Sequence, residues 1–103
     1  MPKIDLTEAA AAAVADIVSR YRDMDPPRVE AIRNLRAAIS EAQEKIGDNL
    51  KCGLDQCRPH QIKIEGVRWL LVRRYWFAFR PDARAITAVH DSASDIPNNL
   101  GWE

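Results

Sequence analysis

Glycine is scarce in this chain. The four residues, Gly47, Gly53, Gly66 and Gly101, lie too far apart for the glycine-rich loop that cradles a nucleotide phosphate. Cysteine is scarcer still. Cys52 and Cys57 are five positions apart, a spacing uncommon in zinc knuckles, and His60 and His90 are the only histidines to join them. No metal and no cofactor is therefore expected. Charge of one sign is missing too: 15 basic residues balance 15 acidic ones. Bulk electrostatics thus give no reason to expect direct nucleic-acid binding. No apolar run approaches the roughly 20 residues of a membrane span. The N-terminus carries Asp5 and Glu8 ahead of an alanine run too weakly hydrophobic for a secretion signal. The expectation is a cytoplasmic protein with no membrane contact and with reduced thiols. At 103 residues it is read as one small domain, 1–103, with a modest core.

The stretch Ile62 to Asp95 organises the rest. Three runs rich in β-branched and aromatic residues, Ile62–Val72, Tyr75–Arg80 and Arg84–His90, are joined by the breaks Arg73-Arg74 and Pro81-Asp82-Ala83. Runs of this length and spacing predict an antiparallel meander. Upstream, Pro2 to Leu6 suits a short first strand. Thr7 is a good N-cap, and Ala10, Val14, Ile17, Val18 and Tyr21 repeat at helical spacing, which predicts a helix over Glu8–Arg22. Asp25 and Pro26 suit the start of a second helix, with Ile32, Leu35, Ile39, Ala42 and Ile46 as its seam and Gly47 as its stop. The expected fold class is α+β: a short N-terminal strand and an antiparallel helical hairpin packed on a three- to four-stranded antiparallel sheet.

A hairpin of helices covers one face of a sheet. Strict alternation in the meander leaves both faces substantially apolar. The uncovered face carries Leu70, Val72, Trp76 and Ile86 or, with the faces reversed, Trp69, Leu71, Tyr75, Phe77 and Phe79. Open apolar surface of that size predicts a protein partner or an oligomer. Charge adds to the picture. Between Arg58 and Arg84 seven basic residues meet two acidic ones, a net +5, so the remainder of the neutral chain carries −5. A basic strip suits an acidic partner; equally, arginines at strand edges keep a sheet soluble. The densest group of acid–base residues, His90, Asp91, Ser92, Ser94 and Asp95, reads either as a site or as a capped turn with solvated side chains.

The pattern resembles the RelE/ParE toxin superfamily. The segment LTEAAAAAVADIVSRY is similar to that family's opening helix, with Ala13 and Asp16-Ile17 at its characteristic places. Gly66 and Arg68; Arg74, Tyr75, Phe79 and Arg80; and Val89, His90, Asp95 and Ile96 fall on its Gly-x-Arg, Arg-Tyr-x-x-x-Tyr/Phe-Arg and Val-x-His-x-x-x-Asp-Ile signatures, the last with one extra residue. The resemblance implies a plasmid-stabilisation toxin of a bacterial type II toxin–antitoxin pair, held by the disordered C-terminal segment of a cognate, ParD-like antitoxin. Nucleases of the family use strand lysines, an arginine after the second-strand aromatic, and arginine and tyrosine in the tail. Here Lys63 matches a strand lysine, Trp76 replaces that arginine, and residues 91–103 contain no Arg, Lys or Tyr. The ParE-like branch, associated with DNA gyrase, is therefore the expected one, with binding rather than catalysis and no catalytic residues. A RelE-like ribosome-dependent mRNA endonuclease and an inactive interaction module of the same fold are the alternatives. Candidate antitoxin- or target-binding residues are Arg68, Leu70, Arg73, Arg74, Trp76, Arg80, Arg84, His90 and Asp95.

Overall fold

The computed structural model describes residues 4–55 and 64–91. In chain order the elements are β1 (Asp5–Leu6), α1 (Glu8–Asp23), α2 (Val29–Asp48), β2 (Arg68–Val72), β3 (Tyr75–Arg80) and β4 (Ala85–Asp91). They form an α+β unit with one four-stranded sheet in the order β1-β4-β3-β2. The sheet is mixed, not wholly antiparallel as expected. The β2–β3–β4 meander is antiparallel, but β1 runs parallel to β4 through Asp5–Ala85 and Leu6–Ile86. The two helices intervene between β1 and the meander, which is the crossover that a parallel pairing needs. No helix among the described residues is long and apolar enough to cross a membrane.

Local chemistry explains most element ends. The Thr7 hydroxyl accepts from the Ala10 N–H at 3.2 Å, satisfying one of the orphan donors at the start of α1. α2 begins at Val29, three residues later than expected. Pro26 is followed by Pro27, and a residue before proline is driven out of the helical region, so Pro26 does not open the helix. Gly47 does not end it either; α2 continues to Asp48, and the Asn49 N–H bonds the Lys45 carbonyl.

The helices share one face of the sheet. α1 packs on β4, and α2 on β2 and β3. The main core joins Ala10, Ile17 and Tyr21 of α1 and Leu35, Ala38, Ala42 and Ile46 of α2 to Val72, Tyr75, Phe77, Phe79, Ile86 and Val89. Leu70 is half-buried against the same cluster. The opposite face holds Val67, Trp69, Trp76 and Ala78, with Ile64 and Ala88 packed against them. That face is not the open apolar surface expected: Trp69 is 0% and Trp76 5% exposed, and only Leu71, at 47%, is a large exposed apolar residue on β2.

The face assignment also departs from simple alternation. Ile86 and Val89 lie three apart yet both enter the helix-side core. The reason is a bulge. Phe79 pairs with Ile86 and Ala78 with Ala88, so Thr87 is an extra residue that shifts the phase of β4. Beyond it Val89 and Asp91 turn to the helices, and His90 pairs with Trp76. Strict alternation, which sets residues three apart on opposite faces, therefore fails between Ile86 and Val89.

Candidate functional site

A cleft of about 480 Å³ lies between α1 and the C-terminal half of β4. Its apolar wall is Ala13, Ile17 and Met24, and Arg20 and Arg28 stand at the rim. Tyr21 and Asp91 form its end, where α1 meets the sheet. These positions follow from helical phase. Ile17 and Tyr21 are four apart on the stripe that faces β4, and Arg20 and Met24 flank that stripe toward solvent.

A polar network closes the cleft. The Tyr21 hydroxyl lies 2.9 Å from the Tyr75 hydroxyl and donates to Asp91 Oδ2 at 2.9 Å. Arg74 Nη2 approaches both Asp91 oxygens at 3.2 Å. Burial, and then the hydrogen bonds to Tyr75 and Asp91, push the Tyr21 phenol well above its ordinary value near 10, so it is a hydrogen-bond donor and not a base at neutral pH. The Arg28 guanidinium lies 5.7 Å from the Tyr21 ring centroid, a cation–π contact, and its backbone N–H bonds the Tyr21 carbonyl at 3.0 Å. Arg20 pairs with Asp16 at 3.1 Å. His90 is 9% exposed, its Nε2 makes no hydrogen bond among the described residues, and burial holds its pKa below the ordinary 6.5.

The residues singled out by sequence do not gather in one place. Arg68 donates from Nε to the Cys52 carbonyl at 3.0 Å and from Nη2 to the Gly53 carbonyl at 2.9 Å. It therefore clamps the loop after α2. There Gly53, at φ 79°, runs so close to β2 that a Cβ would collide with the Trp69 carbonyl. Arg73 ties the β2–β3 turn to α2 through Asn34 Oδ1 at 2.8 Å and Glu41 at 3.4 Å. Arg74 belongs to the Asp91 network. Arg80 ends β3 with its guanidinium beside Gly66, and Arg84 sits in the β3–β4 turn at φ 50°. Arg73 and Arg74 thus lie at one end of β3, and Arg80 and Arg84 at the other, about 17 Å apart for a strand of this length. The expected basic strip is two separate ends.

Leu70 faces the helices and Trp76 the opposite side, so the two proposed anchors share no surface. Asp95 lies outside the described residues, as do Lys63, Cys57 and His60. Sequence reasoning missed Met24 and Arg28 and read Tyr21 only as part of an apolar stripe. The signal for Tyr21 was its hydroxyl, which a buried stripe position must satisfy. Nothing local marked Arg28.

Among the described residues Arg68, Arg73 and Arg74 are occupied in holding the fold together, and His90, neutral with an unbonded Nε2, is the titratable group on the cleft that a proton could reach. No family model, no curated protein and no solved structure matches this chain.

Proposed function

We propose that this protein is a toxin of the RelE/ParE kind, of the ParE-like branch, which acts by binding DNA gyrase and is neutralised by a cognate antitoxin. The observation that carries this reading is the order of elements. A short strand, two helices and a β2–β3–β4 meander follow one another in the order that the motif resemblance implies. The motif residues fall at element ends: Gly66 at φ 78° just before β2, Arg74-Tyr75 at the start of β3, Phe79-Arg80 at its end, and Val89-His90 at the end of β4.

The side-chain pairings support binding over catalysis. A phosphodiester-cleaving site needs cations converging on one phosphate and a group able to take a proton. Arg68, Arg73 and Arg74 each point to a different intramolecular acceptor, and the Tyr21 phenol keeps its proton. The test is supercoiling by purified gyrase with this protein added. Inhibition at near-stoichiometric ratios is expected. Full supercoiling in stoichiometric excess overturns the proposal, and cleavage of mRNA on stalled ribosomes would replace it with the endonuclease. Growth arrest on expression, relieved by the product of an adjacent reading frame, is the corresponding result in cells.

A further inference from the structure

We infer that the groove between residues 64–68 and the β3–β4 turn receives a basic, partly apolar segment of a partner protein, with a lysine or arginine side chain laid along its floor. The groove lies at the opposite end of β3 from the cleft, and the inference stands apart from the toxin reading. Three observations carry it. The first is shape. The groove holds about 490 Å³, within the range of ordinary recognition pockets. Its two walls are fixed by their own hydrogen bonds. The Val67 N–H bonds the Ile64 carbonyl at 3.1 Å across Gly66, whose φ of 78° closes that turn. Asp82 Oδ1 accepts from the Ala83 N–H at 2.9 Å, and the Arg84 N–H bonds the Pro81 carbonyl at 3.3 Å. Walls already in place lower the ordering cost of binding.

The second is the floor. Ile64, Val67 and Pro81 line it with apolar surface. Next to Asp55, the exposed Leu54 pairs with Trp69 at the outer edge of β2, and Leu71 of the same strand is exposed as well. Apolar surface therefore continues from the groove along β2.

The third is charge. Asp55, Glu65 and Asp82 bring three carboxylates to the lining against the one guanidinium of Arg68, a formal −2. That guanidinium is committed to the Cys52 and Gly53 carbonyls. Arg80 lies against Gly66, outside the lining. Among the described residues neither Glu65 nor Asp82 makes an ion pair. A lysine or arginine side chain matches floor and rim together: its methylene stem covers the apolar floor and its charged head reaches the carboxylates. Apolar neighbours of that residue then meet Leu54 and Leu71. The same negative lining repels a phosphate backbone, which argues for a protein segment over nucleic acid.

The experiment uses the full chain, ¹⁵N-labelled, titrated with a short synthetic peptide alternating Lys and Val, with its Glu/Val twin, and with spermine. The Lys peptide is expected to shift the amides of Asp55, Glu65, Gly66, Val67 and Asp82 and to leave those of Tyr21 and Asp91 in place. In Glu65→Lys, an exposed substitution whose folding is read from the same spectra, affinity for the Lys peptide should fall about tenfold or more, and the Glu twin should bind better than it does to the wild type. Asp82→Asn keeps an acceptor for the Ala83 N–H while removing the charge, and should weaken binding of the Lys peptide severalfold. A merely structural disturbance of the turns would not move the preference from one sign toward the other. Shifts elsewhere, no shift at millimolar peptide, an unchanged Lys-over-Glu preference in Glu65→Lys, or unchanged affinity in Asp82→Asn each overturn the inference. So does spermine shifting these amides as strongly as the peptide, which would mark an adventitious cation only.

Discussion

Removing one oxygen from Tyr21 tests the network that ties α1 to the sheet. In Tyr21→Phe the ring still fills its place between α1 and β4, so packing is preserved. The Tyr75 hydroxyl, on a fully buried residue, loses the partner at 2.9 Å, and Asp91 loses a donor at 2.9 Å. Hydrogen bonds to a charged group are worth about 1.5–3 kcal/mol, and a stranded buried hydroxyl adds about 1–3 kcal/mol. Arg74 stays on Asp91, and that carboxylate is part-exposed, so water replaces some of the loss. The expected net cost is about 2 kcal/mol, which in a domain of this size lowers Tm by roughly 8–16 °C. Urea unfolding at neutral pH measures it, with an unchanged m-value showing that the folded state is intact.

The same variant carries a second signature. The folded-state pKa of Tyr21 is raised, so the phenol's contribution is fully present below the unfolded value near 10 and is lost as pH rises above it. Wild-type stability should fall above pH 10 by up to about 1.4 kcal/mol per pH unit more steeply than that of Tyr21→Phe. A cost below about 0.5 kcal/mol, smaller than even one ordinary buried hydrogen bond, together with parallel alkaline profiles, would refute the network as a source of stability.

Two other expectations concern the opposite face. His90 is buried with a lowered pKa, so the unfolded chain takes up its proton first as pH falls. Its neutral form therefore supports the fold above about pH 6.5, and stability drops as pH goes down through that value; urea midpoints for His90→Gln should show a shallower fall between about pH 6.5 and 5. Trp76→Asp, which would weaken a complex if Trp76 were exposed, should unfold the protein instead, by more than about 4 kcal/mol from lost packing and a buried carboxylate; circular dichroism and a thermal melt like those of the wild type would show that Trp76 is not buried.

Periodicity in sequence carried most of the architecture, because the helical stripes and the aromatic strands are strong patterns. Tyr21, Leu35, Ala42 and Ile46 occupy the core where the spacing places them. Three things were not legible. The parallel pairing of β1 rests on two residues, too few for any pattern. The late start of α2 depends on Pro27 acting on Pro26, a local effect that a capping reading of Asp25 overlooked. The bulge at Thr87 has no marker, since the residue is an ordinary strand former. The candidate site suffered most from the last. Alternation applied without the bulge puts Ile86 and Val89 on opposite faces, and grouping Leu70 and Val72 with Trp76 missed a β2–β3 register that sets them across from Phe77 and Tyr75. It also drew attention to the arginines of the meander, of which Arg73, Arg68 and Arg74 find their partners on α2, on the loop after it and on β4. The cleft depends instead on α1 side chains brought over β4 by tertiary packing, which spacing along the chain does not encode.

Thr87 has a further consequence, for how the chain tolerates change. Among the described residues its hydroxyl reaches only the Ala78 carbonyl, at 3.4 Å, so the identity of its side chain matters little. Its presence as an extra link is absorbed by the bulge. Deleting it would let Ala88 follow Ile86 in regular alternation, keeping the pairs Ala78–Ala88, Phe77–Val89, Trp76–His90 and Tyr75–Asp91 and leaving His90 and Asp91 on the faces they hold. The position is thus nearly silent to substitution and tolerant of loss, because the strand already carries one residue more than its partner needs.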